Sequence, residues 1–221
     1  MKTIATIHND FTAKFGIPRQ SGLIPEVESI IVFEPEYRNP DALRGLCDFS
    51  HLWLIWSFHQ AVRETWSPTV RPPILGGNTR VGVFATRSPF RPNPIGLSCV
   101  RLLGVETVKE YGTVIRVSGA DLLNGTPIYD IKPYIPYADC HPEATGGFTD
   151  TSVKRTVKVF IPDSLLGCIH EEKRESLIAV LEQDPRPAYQ DDPERIYGLS
   201  FGDLNLHFVV RDGILTVLDI E

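Results

Sequence analysis

The chain has 221 residues, of which 42% are hydrophobic, so it is long enough to bury a large core and has the composition of a folded globular protein. A formal net charge of −6 at pH 7 argues against a protein that coats nucleic acid without selectivity. No apolar run is long enough for a signal peptide or a membrane span, and we therefore expect a cytoplasmic protein with no membrane partner.

The charges are distributed unevenly along the chain. Residues 1–110 hold twelve Lys and Arg against ten Asp and Glu, whereas residues 111–221 hold ten against eighteen. No acidic residue lies between Glu64 and Glu106. That interval contains Arg71, Arg80, Arg87, Arg91 and Arg101. A local basic surface suits selective binding of one anionic ligand or one structured RNA, although these arginines could also point separately into solvent.

The first elements predicted in chain order are strands at residues 2–8 and 27–34, from their apolar and β-branched patterns. Between them, residues 14–20 (Lys-Phe-Gly-Ile-Pro-Arg-Gln) form a turn-rich segment that ends on two planar polar side chains. Residues 39–45 predict a short helix, because Asn, Pro and Gly stand at its cap, first position and end.

A strongly aromatic and apolar run follows at residues 49–58, which predicts a strand that is buried on both faces or lines a pocket. This strand delivers His59 and Gln60 at its end. A histidine in this position could bind a ligand, act as a base or simply cap the sheet. Residues 61–79, rich in Pro and Gly, predict a loop.

The most unusual stretch is residues 80–98, Arg-Val-Gly-Val-Phe-Ala-Thr-Arg-Ser-Pro-Phe-Arg-Pro-Asn-Pro-Ile-Gly-Leu-Ser. Residues 81–86 alternate like a strand, and a loop with three prolines follows before an apolar, strand-like run resumes at Ile95. Because each proline restrains itself and the residue before it, the loop should hold Arg87 and Arg91 in place. A stiff loop with two guanidinium groups indicates a binding site, and the plainer interpretation is a rigid turn with solvated arginines.

Residues 97–103 and 113–117 predict further strands, and a dense polar segment follows at residues 119–134. Asn-Gly at 124–125 is a tight-turn signal, and residues 126–131 look strand-like. The polar side chains here could belong to a site, or Asp121 and Asp130 could merely satisfy the backbone donors of a hairpin.

The last part of the chain predicts a small α+β unit. Residues 138–152 are polar and Gly-rich and are the best candidate for a domain boundary. Later elements are a strand at 153–161, a helix at 171–181 and strands at 195–202, 205–210 and 214–220, the last two joined by an Asp-Gly hairpin turn. We expect a mainly β protein with domains at residues 1–145 and 146–221.

Several kinds of site are not supported by the sequence. It contains no Rossmann Gly-x-Gly-x-x-Gly loop, no P-loop and no Gly-x-Ser-x-Gly elbow. The four cysteines are scattered and the histidines lack metal-ligand spacing, so we expect reduced thiols and no metal. What remains is a set of loops at 18–20, 59–60, 87–97 and 121–134. These loops could hold an adenine and its ribose, a phosphate or a small acid.

The motifs at 14–20, 43–46, 49–56, 80–98 and 121–134 closely resemble those of the bacterial tRNA adenosine-37 N6-methyltransferases. Asp-Pro-Arg-Pro at 184–187 and Arg-Ile-Tyr-Gly-Leu-Ser-Phe at 195–201 also look like the small C-terminal domain of that family. The resemblance covers nearly the whole chain, and the long Pro-rich loop makes it highly specific.

This resemblance implies a single-sheet β-barrel that binds S-adenosylmethionine, followed by the small α+β domain, in a homodimer. It implies methyl transfer to N6 of threonylcarbamoyladenosine at position 37 of tRNA, beside the anticodon. The residues that it assigns to the cofactor are Pro18, Arg19, Gln20, His59, Gln60, Arg87, Leu97, Asp121, Leu122, Leu123 and Asn124.

Two further roles follow as hypotheses from this resemblance. N6 of threonylcarbamoyladenosine is a poor nucleophile, because its lone pair is shared with the ring and the carbamoyl group. Asp130, His59 or Tyr134 would therefore accept its proton. Arg91, Lys132 and Arg71 would meet tRNA phosphate or the threonyl carboxylate. The alternative function is a non-catalytic module that senses S-adenosylmethionine and controls a partner.

Overall fold

The structure is a computed structural model that describes residues 1–150, 156–187, 190 and 192–221. Eight of its strands precede residue 134: β1 (Ala5–His8), β2 (Glu28–Phe33), β3 (His51–Ser57), β4 (Thr69–Val70), β5 (Val81–Gly82), β6 (Ile95–Val108), β7 (Gly112–Ser118) and β8 (Pro127–Pro133). The later described elements are α1 (Pro136–Asp139), β9 (Lys158–Phe160), α2 (Asp163–Leu166), α3 (Glu171–Glu182), β10 (Tyr197–Phe201), β11 (Leu204–Arg211) and β12 (Ile214–Ile220).

Six strands close into one antiparallel barrel in the order β1-β2-β7-β6-β3-β8, which confirms the predicted single-sheet barrel. The long strand β6 makes this closure possible, because its first half pairs with β3 and its second half with β7. A register shift, of the kind that lets a strand bend, lies between Leu102 and Gly104, just after Arg101, where the strand changes partner.

The interior of the barrel is filled by alternate residues of its strands. On β3 the side chains of Leu52, Leu54 and Trp56 are buried, whereas those of Trp53 and Ile55 are only partly covered. The expectation of a strand buried on both faces is therefore wrong, and the alternative, a strand that lines a pocket, is the observed one. A barrel wall has one inner face, so hydrophobic residues on the other face remain partly exposed.

The sequence pattern at residues 81–86 was misleading about the local structure. Only Val81–Gly82 is a strand, paired with Thr69–Val70 in a two-stranded ribbon, and a 3-10 turn occupies Val83–Ala85. Val83 is buried and Phe84 is exposed, so these neighbours face opposite ways as they would in a strand, although they lie in a single turn. The predicted helix at 39–45 is likewise a 3-10 turn, Pro40–Leu43, capped by Asn39.

The C-terminal part is a four-stranded sheet in the order β10-β11-β12-β9, covered by α3. The predicted helix and the Asp-Gly hairpin are confirmed, and Asp212 and Gly213 adopt φ values of 49° and 75°. The strand predicted at 153–161 is observed at Lys158–Phe160, parallel to β12, and residues 151–155 lie outside the described residues.

The segment between β1 and β2 packs into the core of this C-terminal sheet. Phe11, Ile24 and Val27 are buried there, and Phe15 and Ile17 pack against the same core. Residues 14–20 are thus placed by contacts with the C-terminal part of the chain, although they precede most of the barrel in sequence. None of the described helices has the length and apolar character needed to cross a bilayer.

Candidate functional site

A cavity of about 910 Å³ opens at one end of the barrel, where the chain leaves β3 and enters β6. Four separate segments of the chain supply its walls: residues 14–20, 56–61, 84–97 and 121–126. They contain the first three predicted loops and the beginning of the fourth. Because these loops are far apart in sequence, their meeting here depends on the closure of the barrel.

The floor of the cavity is the indole ring of Trp56, packed against Phe58 with ring centroids 4.2 Å apart. Opposite Trp56 in the ladder lies Gly96, and a Cβ atom on this glycine would stand 2.2 Å from the indole ring. Glycine is therefore required because the ring occupies the space of a side chain. The indole Nε1 donates a hydrogen bond to Ser98 Oγ at 2.9 Å.

Asp121 is the acidic group of the cavity wall. Ser98 Oγ donates to Asp121 Oδ1 at 2.5 Å, which continues the chain of hydrogen bonds from Trp56. Burial raises the pKa of the Asp121 carboxyl, while the hydrogen bond from Ser98 and the charge of Arg87 act in the opposite direction. The carboxylate is thus partly desolvated and faces a space that a ligand donor or cation could fill.

Hydrogen bonds join the loops across the cavity. Arg87 Nη1 donates to Gln20 Oε1 at 2.5 Å, which links the Pro-rich loop to the segment that the C-terminal core supports. Lys14 Nζ donates to the backbone oxygen of Gln60 at 3.2 Å, which links the same segment to the exit of β3. The side chains that make these two contacts, those of Arg87, Gln20 and Lys14, all line the cavity.

The Pro-rich loop is held by short-range hydrogen bonds as well as by its prolines. Thr86 Oγ1 donates to the Val83 oxygen at 2.8 Å and accepts from the Ser88 backbone N–H at 3.2 Å. Arg91 Nη1 donates to the Thr86 oxygen at 2.9 Å. The stiffness expected from the sequence is thus supported by side-chain contacts that proline spacing alone does not reveal.

Most of the residues that we expected to contact the cofactor line this cavity: Pro18, Arg19, Gln20, His59, Gln60, Arg87, Leu97, Asp121 and Leu123. Arg91, expected to face RNA, lines it too. Leu122 and Asn124 do not. Leu122 is fully buried in the barrel core, and Asn124 Oδ1 accepts a hydrogen bond from the Asn9 backbone, so both support the wall from behind.

Of the three candidate proton acceptors, His59 lines the cavity, whereas Asp130 and Tyr134 do not. Asp130 forms an ion pair with Lys132 at 2.9 Å on β8. The Tyr134 backbone N–H donates to the His51 oxygen, at the end of β3 away from Trp56, and β3 is about 20 Å long at about 3.3 Å per residue. Arg71 is also outside the cavity lining.

The sequence predicted aromatic strands behind the loops, but it assigned no role in the site to Ser98, Phe84 or Phe90. Ser98 connects Trp56 to Asp121, and Phe84 and Phe90 line the cavity. The only sequence signal for Ser98 was a hydroxyl at an inward position of an apolar strand. A buried Ser needs a hydrogen-bond partner, but the sequence does not say which one.

The described residues also bring three potential metal ligands together on the C-terminal sheet. One ligand atom each of His207, Asp219 and Glu221 lies within 4.8 Å of the others. His207 Nδ1 is 3.9 Å from Asp219 Oδ2, and both side chains are about half exposed. These residues do not line the cavity.

Replacing Gly96 with alanine tests the shape of the cavity floor. Because the new methyl group would overlap the Trp56 ring, we expect the ring to shift, cofactor affinity to fall and stability to drop by about 1–3 kcal/mol. Gly104→Ala on the same strand is the matched control, since no heavy atom lies within 4 Å of its added Cβ. Calorimetric titration and thermal unfolding measure both effects, and equal behaviour of the two variants would contradict this role of Gly96.

The fold is a closed barrel, and the cavity at one end of it is lined by Asp121 and several arginines. These two features place the protein among the barrel proteins that bind small molecules and not among the Rossmann-type enzymes. Comparison with known proteins makes the class specific. The family model of the tRNA-methyltransferase O N-terminal domain matches residues 6–140, and that of the TrmO C-terminal domain matches residues 168–221. The chain therefore belongs to the tRNA-methyltransferase O family.

Individual relatives agree over almost the whole chain. The tRNA (adenine(37)-N6)-methyltransferase of Escherichia coli K12 is 40% identical, in an alignment that covers 99% of this chain and 96% of the relative. A putative S-adenosylmethionine-dependent methyltransferase, RcsF, of Pseudomonas aeruginosa is 41% identical, with coverages of 98% and 95%. The crystal structure of TrmO from Pseudomonas aeruginosa matches with a TM-score of 0.80 at 36% identity, with coverages of 99% and 97%.

Proposed function

We propose that this protein transfers a methyl group from S-adenosylmethionine to N6 of threonylcarbamoyladenosine at position 37 of tRNA. The observation that carries the proposal is the full-length likeness to a relative named for methylation of adenine 37 at N6. The convergence of four loops on one cavity supports it, because a methyltransferase must hold a cofactor beside its nucleophile.

The cavity has the size and chemistry that the cofactor requires. Its volume of about 910 Å³ lies within the usual range of small-molecule pockets, and its floor is aromatic. Asp121 would accept hydrogen bonds from ribose hydroxyls or face a cationic group, while Gln20 and Arg87 would bind polar groups at the rim. S-adenosylmethionine, when bound, supplies a methyl group that is already activated on a sulfonium.

The remaining predicted cofactor residues take two roles in this proposal. Pro18, Arg19, His59, Gln60, Leu97 and Leu123 would contact the cofactor from the cavity wall. Leu122 and Asn124 would hold the Asp121 segment in position, because one is core and the other bonds the Asn9 backbone.

We propose His59 as the group that accepts the N6 proton, because it lines the cavity whereas Asp130 and Tyr134 do not. Methylation replaces the N6–H bond by an N–CH3 bond, so the proton must leave, and an imidazole within reach can take it. We expect His59→Ala to lower turnover by a larger factor than it weakens cofactor binding, because His59 also belongs to the cavity wall. Asp130→Asn and Tyr134→Phe should retain turnover. Normal turnover in all three variants would remove the general base from the mechanism.

For the RNA, we propose that Arg91 binds substrate at the cavity rim, where it is already oriented by the Thr86 oxygen. Lys132 and Arg71 would contact phosphates farther from the reacting base. Lys132 is paired with Asp130, so an RNA phosphate would have to share or replace that partner.

The direct test is methyl transfer from labelled S-adenosylmethionine to tRNA that carries threonylcarbamoyladenosine. We expect label in this tRNA and none in the same tRNA lacking the threonylcarbamoyl group. Cofactor binding with no transfer to either RNA would contradict the proposal and favour the cofactor sensor.

We also propose that the protein works as a homodimer in the cytoplasm, which rests on the family resemblance. Light scattering of the purified protein measures the oligomeric state. A monomer at all tested concentrations would contradict the dimer.

A further inference from the structure

Two large aromatic side chains are exposed together beside the cavity. Phe84 is 71% exposed and Trp66 is 52% exposed, and their ring centroids lie 6.1 Å apart at an interplanar angle of 31°. Exposing neighbouring aromatic rings to water is unfavourable, so such a pair indicates a surface that binds a ligand or another macromolecule.

The surrounding structure holds this pair in place. The ribbon of β4 and β5 brings together the two chain segments that carry Trp66 and Phe84. Next to Phe84, Val83 is buried and its backbone N–H donates to the Pro68 oxygen at 2.9 Å. Both rings are therefore presented by a braced backbone.

Positive charge flanks the aromatic pair. The Arg91 guanidinium carbon lies 6.0 Å from the centre of the Phe84 ring, and that of Arg63 lies 3.6 Å from the centre of the Phe90 ring. Within the part of the chain that the structure describes, neither arginine is ion-paired with a carboxylate. Their charges are thus available to a polyanion, since aromatic rings do not neutralise them.

The aromatic pair is continuous with the candidate active site. Phe84 lines the main cavity, and Trp66 lines a smaller one of about 160 Å³ beside it. The two cavities share the residues Ala61, Phe90, Arg91 and Pro92. A nucleic acid with one base in the main cavity would therefore bring its neighbouring nucleotide to this surface.

Exposed aromatic rings combined with arginines match the chemistry of single-stranded nucleic acid, whose bases stack on rings while its phosphates meet cations. A second copy of this chain fits less well. In a symmetric contact the same patch faces itself, and this patch carries the two guanidinium groups of Arg63 and Arg91 against the one carboxylate of Glu64, so a net positive charge would face its own counterpart.

We propose that Trp66 and Phe84 form a stacking platform for an unpaired base of the RNA, next to the base that enters the cavity, with Arg63 and Arg91 binding the adjoining phosphates. This inference rests on the proposed function and adds a substrate subsite to it. The platform selects for an open loop over a paired helix, because only an unpaired base offers a free face.

The test measures binding of an unmodified anticodon-arm RNA hairpin, without cofactor, to Trp66→Ala, Phe84→Ala and Trp66→Phe variants. We expect each alanine variant to bind about tenfold more weakly, with an unchanged salt dependence, and Trp66→Phe to retain most of the affinity. A fully paired RNA duplex should bind all proteins equally. Tyr137→Ala is the matched control, because Tyr137 is 91% exposed and lies outside both cavities.

The proposal of a stacking platform would be overturned if hairpin affinity were unchanged in both alanine variants. It would also be overturned if hairpin and duplex lost affinity equally, or if the unaltered protein did not bind the hairpin. A change of oligomeric state in the alanine variants would also overturn it and assign the surface to a second copy. Circular dichroism and thermal unfolding of each variant verify that the chain is folded, because Phe84 itself lines the main cavity and cofactor binding is no independent control. The proposed function has a separate test. It is contradicted if the protein transfers no methyl group although the hairpin affinities of the variants follow the expected order.

Discussion

Replacing Asp121 with asparagine is expected to weaken S-adenosylmethionine binding by about 10- to 100-fold, the equivalent of one charge-assisted hydrogen bond of about 1.5–3 kcal/mol. The carboxylate is the acidic group of the cavity wall, and Ser98 orients it. Asparagine keeps one oxygen but loses the charge and turns an acceptor into a donor. Calorimetric titration at constant pH gives the two dissociation constants.

The pH dependence of binding provides a sharper test of the same group. Burial raises the pKa of Asp121, so the carboxyl holds its proton more tightly in the folded chain than in the unfolded chain. The empty protein therefore loses stability as the pH rises from the unfolded value of about 3.9 through the raised pKa. Because only the ionised form is a full acceptor, cofactor affinity should fall as the pH drops through that pKa, and Asp121→Asn should lose this pH step.

Asp139 offers the control carboxylate. It accepts hydrogen bonds from the Ile135 backbone at 2.8 Å and the Trp53 indole at 3.0 Å, which lower its pKa, and it lies outside the cavity. Its contribution to stability is present above the unfolded pKa and is lost as the pH falls through the lowered one. We expect Asp139→Asn to reduce stability and leave cofactor affinity unchanged. Tight cofactor binding by Asp121→Asn would exclude Asp121 from the site.

The sequence predicts the strands of this protein better than it predicts the arrangement of its cavity. Local patterns identified most barrel strands, the helix at Glu171–Glu182 and the turn at Asp212-Gly213, because periodicity and turn chemistry act over a few residues. Local patterns failed at Val83–Ala85, where one buried and one exposed residue in succession fit a turn as well as a strand.

The pairing of the strands could not be predicted from the sequence. Pairing between β8 and β3 sets Tyr134 beside His51, at the end of the strand away from Trp56, although the polar segment at 119–134 looks continuous in sequence. The link from Trp56 through Ser98 to Asp121 also joins three distant positions. Register between distant strands depends on the packing of the whole barrel, which no short window of sequence contains.

Phe208→Ala is expected to lower the free energy of unfolding by about 3–5 kcal/mol and to weaken cofactor binding at a distance from the cavity. Phe208 is fully buried in the C-terminal core, 5.6 Å from the Tyr197 ring centre and 6.4 Å from that of Phe15. Phe15 belongs to the segment that carries Arg19 and Gln20. The void left by Phe208→Ala would therefore loosen the C-terminal sheet and also the part of the binding-cavity wall that this segment forms.

The control for this variant is Phe160→Ala, because Phe160 lies on β9 of the same sheet but is 55% exposed. We expect its free energy of unfolding to change by about 0.5 kcal/mol or less and its cofactor affinity to stay the same. Urea unfolding followed by fluorescence, with cofactor titration of the folded variants, measures both quantities. A stability loss in Phe208→Ala without loss of cofactor affinity would show that the C-terminal core does not support residues 14–20. If Phe208→Ala loses both stability and cofactor affinity, the C-terminal domain is a structural part of the cofactor site. Among the described residues, Phe15 and Ile17 pack against the C-terminal core and not against the core of the barrel.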